Sequence, residues 1–186
     1  MTIPADDRDL APLIELVHHR WNIPVIAELY RQSGAKFITM VNRLGVSRAS
    51  LSTSLANLID LGLVHKNTGH GHPMRPEYLL TPDGGRIGKQ CLNLMHTLRR
   101  SDDADLAFRK WTLPLIAVIG EETRRFNELR SQLDGATPRA ITLGLKSLLH
   151  QRWATRTLLD EYPPAAGYQL MQRGRRVLTC VDALCQ

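Results

Sequence analysis

The sequence predicts a mainly α-helical chain with small β hairpins, an α+β protein built as two tandem copies of one domain. Three observations predict it. The chain resembles itself at a shift of about 90 residues. Each copy carries helical periodicity with capping residues at its breaks. In each copy a strand–loop–strand pattern follows the third long helix.

Self-similarity of this length marks a duplicated domain and not a solenoid unit. Trp21-Asn22-Ile23-Pro24 answers Trp111-Thr112-Leu113-Pro114, and Leu51, Leu55, Leu58 return as Ile141, Leu145, Leu148. Tyr78-Leu79-Leu80 answers Tyr168-Gln169-Leu170, and Gly84 answers Gly174. The polar, charged stretch 100–105 is the expected boundary, so the domains are read as 1–100 and 101–186. A chain of 186 residues accommodates two such domains.

The elements follow in order. A helix is expected over 11–20, then a second whose cap is Asn22 (Thr112 in copy two) and whose first turn accepts Pro24 or Pro114. A short helix is expected over 36–44 and again over 126–133, with Gly45 or Gly135 making the turn. Ser47 and Thr137 offer a side-chain oxygen to cap a third helix of about 13 residues. On that helix Leu51, Leu55, Leu58 and Ile59 share one face. Two helices joined by a tight glycine turn, the second capped and amphipathic, form a helix-turn-helix. Residues 63–66 and 77–80 then read as a hairpin, a wing, and Thr81-Pro82 starts another helix reaching from 82 towards 99.

With that order on the page, the residues resemble the HxlR branch of the MarR-like winged-helix regulators. Copy two carries the resemblance in Lys110-Trp111-Thr112-Leu113-Pro114, Arg125-Phe126-Asn127-Glu128-Leu129 and Thr137-Pro138-Arg139. Copy one carries it in Arg20-Trp21, Gly62-Leu63-Val64 and the run from Tyr78 to Gly84. The resemblance implies two tandem winged helix-turn-helix domains in a bacterial transcription factor, from a family that normally binds operator DNA as dimers of one-domain subunits. The family usually places basic residues midway along the recognition helix. This chain has Thr53-Ser54 and Leu143-Gly144 there.

Charge and composition are consistent with that role. The formal net charge is +6, an excess that favours a polyanionic partner. Residues 1–95 hold ten Lys/Arg against eight Asp/Glu, and 96–186 hold fourteen against ten, so neither half is a basic tail. No apolar run is long enough for a membrane span, and the acidic start gives no export signal, so a cytoplasmic protein is expected. Three cysteines, Cys91, Cys180 and Cys185, make no disulfide framework. His65, His70 and His72 lack the further ligands a metal site needs, and they read as wing residues. No phosphate loop, nucleophile elbow or catalytic His/carboxylate grouping appears, so no enzyme activity, cofactor or metal is expected.

The expected DNA contacts in copy one are Ser47, Arg48, Ser50, Ser52, Thr53 and Asn57 on the recognition helix, with Lys66 and Arg75 on the wing. In copy two they are Thr137, Arg139, Thr142 and Lys146, while Leu143, facing away from the core, suits a protein interface. The copy-one wing carries net positive charge. The copy-two wing, with Asp160 and Glu161 against Arg156, is acidic and should be repelled by phosphates. Two readings follow. In the first the chain is a sequence-specific regulator on double-stranded DNA, its tandem winged helices acting as an intramolecular pseudo-dimer. In the second it is a winged-helix adaptor whose second domain has lost most DNA contact. A homodimer or a partner protein would join through the second domain.

Overall fold

The computed structural model describes residues 9–67, 76–98, 101–160, 162 and 164–185. It is mainly helical with two small antiparallel sheets. Contacts divide the chain into two units, one of residues 16–96 and one of residues 9–15 with 97–185.

In copy one, α1 (Ala11–Leu16) leads into α2 (Asn22–Gln32), β1 (Ala35–Lys36), α3 (Phe37–Leu44), α4 (Arg48–Asp60), β2 (Val64–Asn67), β3 (Glu77–Leu80) and α5 (Pro82–Thr97). Copy two repeats the order in α6 (Ser101–Ala107), α7 (Thr112–Ile119), β4 (Arg124–Arg125), α8 (Phe126–Gln132), α9 (Pro138–His150), β5 (Ala154–Leu159), β6 (Ala165–Leu170) and α10 (Gln172–Leu184). Pro138 stands 90 residues after Arg48, and His150 stands 90 after Asp60.

The core of each copy is its second helix. Every residue of α7 is buried, and so is the run Asn22–Leu29 of α2. In α7 the buried run is apolar almost all round, while in α2 it includes Asn22 and Glu28, the latter paired with Arg31 and Arg43. In copy two, α8, α9, α10 and β6 all pack on α7, and in copy one α3, α4 and β3 pack on α2.

Several expectations are met by local chemistry. Ser47 and Thr137 cap the third helices, their Oγ atoms accepting from the backbone N–H of Ser50 and Ala140. Gly45 supplies the left-handed backbone (φ 61°) that the turn between α3 and α4 needs. Thr81 Oγ1 accepts from the Gly84 N–H at the start of α5.

Other expectations are corrected. The first helix stops at Leu16, short of residue 20. Asn22 and Thr112 are not caps. They are buried first residues of α2 and α7, and the N-cap positions fall on Trp21 and Trp111 without a side-chain bond. Ile59 is exposed, so the inner face of α4 is Leu51, Ser54, Leu55 and Leu58. Within the expected boundary stretch, residues 101–105 belong to α6, whose acidic first turn suits a helix N-terminus. Each hairpin also gains a third strand, in orders β1-β3-β2 and β4-β6-β5. Two residues are too few to show a strand period, so β1 and β4 left no signal in the sequence.

The matched glycines have a packing reason. A Cβ on Gly84 would lie 2.0 Å from the Leu63 carbonyl oxygen, and one on Gly174 would lie 2.3 Å from that of Trp153. The same carbonyls accept from the N–H groups of Thr81 and Met171, locking the last helix of each copy to the base of its wing.

The exit from the third helix uses one motif in both copies. Leu63 N–H donates to Leu58 O, and Trp153 N–H donates to Leu148 O, the outer bond of a Schellman turn. Its left-handed position is Gly62 in copy one (φ 68°) but Arg152 in copy two (φ 55°).

Two outcomes in thermal or denaturant unfolding check this. Gly174→Ala should cost about 1–3 kcal/mol, because the methyl group meets a fixed carbonyl. Arg152→Gly should instead raise stability by about 1 kcal/mol, through relief of the left-handed strain.

Candidate nucleic-acid interface

Helix α4 is held by its apolar face and by one polar seam. Asn22 Nδ2 donates to Asn57 Oδ1 (2.7 Å) and to Leu16 O (2.9 Å), with Asn22 fully buried. The seam joins the start of α2 to the middle of α4 and fixes the rotation of the recognition helix about its axis.

That rotation decides what α4 presents. Ser47, Arg48, Ser52 and Thr53 are exposed, and Ser50 is half-buried. Ser47 Oγ donates to Ser50 Oγ (2.9 Å), and Thr53 Oγ1 donates to Ala49 O (3.1 Å), so these hydroxyls are oriented before any ligand arrives. Asn57 is half-buried and its carbonyl oxygen is turned onto Asn22, which makes it first a positioning residue. Lys66 is exposed on β2, with His65 and Asn67 exposed beside it in the strand. Arg75, His70 and His72 lie outside the described residues.

In copy two, Thr137, Arg139, Thr142, Leu143 and Lys146 are all exposed on α9 or at its cap. Thr142 Oγ1 donates to Pro138 O (2.8 Å), the counterpart of a hydroxyl back-bond one residue later in copy one. Leu143 is 53% exposed, Leu158 on β5 is 77% exposed and Tyr162 is fully exposed. Two carboxylates, Asp102 and Asp105 of α6, border the groove that Leu143 and Lys146 of α9 line. Arg109 and Lys146 line the same groove, so its two carboxylates are matched in number by cations. Glu161 lies outside the described residues, and Asp160 is exposed at the end of the wing strand.

The remaining candidates resolve into structural roles. Arg20 lies over the Trp21 ring at 5.7 Å, and Lys110 lies over Trp111 at 5.3 Å, a cation–π pair repeated in both copies. Arg173 reaches both carboxylate oxygens of the buried Asp103 (2.6 and 2.7 Å), which ties α6 to α10. This guanidinium is therefore an internal clamp and not a free DNA-flank cation. Cys91 is buried and its thiol is pushed up to about 12 by burial, so at neutral pH it carries almost no reactive thiolate. Among the described residues no cluster of His, Cys, Asp and Glu is arranged to hold a metal ion, and no helix is long and apolar enough to cross a membrane.

Sequence reasoning missed Ser54, which lies in the buried face, and the Asn22–Asn57 pair. An asparagine at a predicted helix start reads as a cap, and its partner 35 residues away gives no local signal.

Comparison with known proteins adds the following. Residues 16–102 and again 106–186 match the model of the HxlR-like helix-turn-helix family. An uncharacterized HTH-type transcriptional regulator of Methanothermobacter thermautotrophicus is 29% identical over 77 residues, covering 41% of this chain and 59% of its own length. The match thus spans under two thirds of that relative. Another uncharacterized HTH-type transcriptional regulator, from Synechocystis sp. PCC 6803, is 28% identical over 94 residues, covering 50% of this chain and 70% of its own. A solved MarR-family structure from Porphyromonas gingivalis W83 has 28% identity and a TM-score of 0.40, covering 42% of this chain and 76% of that one.

The seam makes a prediction separable from any ligand. Asn57→Ala leaves a buried Asn22 N–H without its acceptor and should lower stability by about 1–3 kcal/mol in denaturant unfolding. Ser52→Ala, on the exposed face, should change it by less than about 0.5 kcal/mol.

Proposed function

The chain belongs to the HxlR-like helix-turn-helix family, both halves of its length being matched, and from that premise we propose that it is a transcription regulator reading double-stranded DNA through copy one. The observation that supports this most is the surface of α4. It is capped, rotationally fixed by the Asn22–Asn57 seam, and presents Arg48 with Ser52 and Thr53 beside a wing strand carrying Lys66.

Residues near the N-terminus of such a helix reach base edges, while hydroxyls, Lys and wing cations hold phosphates. Arg48 is the residue able to bond a guanine bidentately. Ser47, Ser50, Ser52, Thr53, Lys66 and Arg75 serve the backbone. Two winged helices in one chain make an intramolecular pseudo-dimer with unequal halves, so a monomer favours an asymmetric operator. Thr137, Arg139, Thr142 and Lys146 of copy two then add contacts to a neighbouring half-site.

A second reading is favoured by the apolar exposure of Leu143 and by the acids beside α9. In it, copy two is a protein-facing module and copy one alone grips DNA. Leu143→Asp would break a partner or homodimer contact while leaving DNA affinity nearly intact.

The test is selection of bound genomic fragments followed by anisotropy titration at two salt concentrations. A defined motif should emerge, with affinity falling steeply as salt rises. Arg48→Ala should cost about 1–3 kcal/mol and relax preference at one position, whereas Lys66→Ala should weaken all sequences alike and lower the salt slope by about 1. Retention without a motif, indifferent to both substitutions, would remove the DNA reading.

A further inference from the structure

We propose that the second wing is a self-pairing edge: β5 pairs antiparallel with β5 of a second copy of this chain, Leu158 lying on the two-fold axis and Arg156 of each opposite Asp160 of the other. The proposal rests on the reading of copy two as a protein-facing module, and it names the partner and the surface.

The strand is open on one side. In the order β4-β6-β5, β5 lies at the edge of its sheet, paired with β6 from Ala154 through Leu159. An edge strand presents a row of backbone N–H and C=O groups to whatever approaches it. Like charges along such an edge protect it, because they repel a second copy of the same edge. The edge of β5 carries one charge of each sign instead. Side chains of a strand alternate between faces, so Arg156, Leu158 and Asp160, just past the strand end, fall on one face. All three are exposed, Leu158 to 77%. The cation stands two residues before the leucine and the anion two residues after it.

That spacing is self-complementary. An antiparallel pair that extends a sheet with two-fold symmetry sets one residue opposite itself. Centring on Leu158 brings leucine against leucine and makes the Arg156–Asp160 pair twice, once on each side. Centring on Arg156 opposes like charges. Centring on Thr157 or Leu159 sets Leu158 against Arg156 or Asp160. One register therefore satisfies both charges and covers the exposed leucine, which is how a strand pairing is specified. Copy one lacks the pattern: 90 residues earlier stand Lys66, Thr68 and His70, with neither an apolar centre nor an anion.

Sedimentation velocity of the full chain without DNA, at concentrations up to ~0.5 mM because a small interface binds weakly, reads the association directly. The wild-type chain should dimerise. Arg156→Asp makes both charged positions acidic and Asp160→Arg makes both basic, so either variant alone should associate at least ~10-fold more weakly. Mixed together, the two variants should dimerise with each other, since both opposed pairs are again of opposite sign. The double variant Arg156→Asp with Asp160→Arg should dimerise by itself for the same reason. Thermal unfolding verifies that each variant is folded, as expected for exposed positions. A monomeric wild type, single variants that associate as well as the wild type, or a mixture no better than its components overturns the proposal. A dimer indifferent to these charges but broken by Leu143→Asp also overturns it, while leaving the protein-facing reading of copy two in place.

Discussion

Each copy depends on one helix that is wholly or mostly buried. All eight residues of α7 are buried, and α2 is buried from Asn22 through Leu29. Burying side chains such as Leu113, Leu115, Ile116 and Ile119 stabilises by about 1.5–3 kcal/mol each relative to exposure. A helix buried on all sides demands neighbours on all sides, and the rest of the domain supplies them. The recognition helix, the wing strand and the last helix therefore take their positions from this rod. Polar groups at its start are constrained in the same way, because a buried amide must find partners. The Asn22 Nδ2 group finds them in Leu16 and Asn57, and so carries the orientation of the core out to the surface of α4.

The two copies separate what the architecture needs from what each domain uses. Both keep the hydroxyl cap, the glycine turn, the Schellman exit and the glycine packed on a backbone carbonyl. Both keep a cation stacked on the tryptophan before the central helix. These features satisfy or constrain the backbone in the same way in both copies. The seam, the charge around the recognition helix and the exposed apolar residues differ. Copy one has an amide-locked seam and a small hydroxyl-rich surface with Arg48 at its head. Copy two has Thr112 and Ser147 in place of the two asparagines and an exposed leucine on α9, with Asp102, Asp105, Arg109 and Lys146 alongside.

A further difference lies at the join. The stretch from residue 101 folds as α6, and its Asp103 is buried against Arg173. An ion pair of that kind is weak evidence of net stability, but losing Arg173 leaves the buried Asp103 carboxylate without its partner. It defines where α6 sits relative to α10 more than it strengthens the unit. The arginine cluster at the start of α10 is thus drawn inward at its first member, while Arg175 and Arg176 remain exposed.

The sequence by itself determined the duplication, the helix order, the third-helix boundaries and the caps Ser47 and Thr137. These rest on interactions within a few residues, such as a hydroxyl meeting an N–H three positions on, or on periodicities that show which face is apolar. It also determined the two-stranded part of each wing and the placement of Arg48, Lys66, Arg139 and Leu143 on exposed surfaces. Only the tertiary structure decided that Asn22 is a buried bridge and not a cap, that Ser54 lies inside while Ile59 lies outside, and that β1 and β4 complete the sheets. It alone set Asp103 against Arg173. Each of these depends on groups brought together from distant parts of the chain (35 residues for Asn22 and Asn57, 70 for Asp103 and Arg173). Local propensity is blind to such pairs, because their free energy exists only once the buried rod has placed both partners.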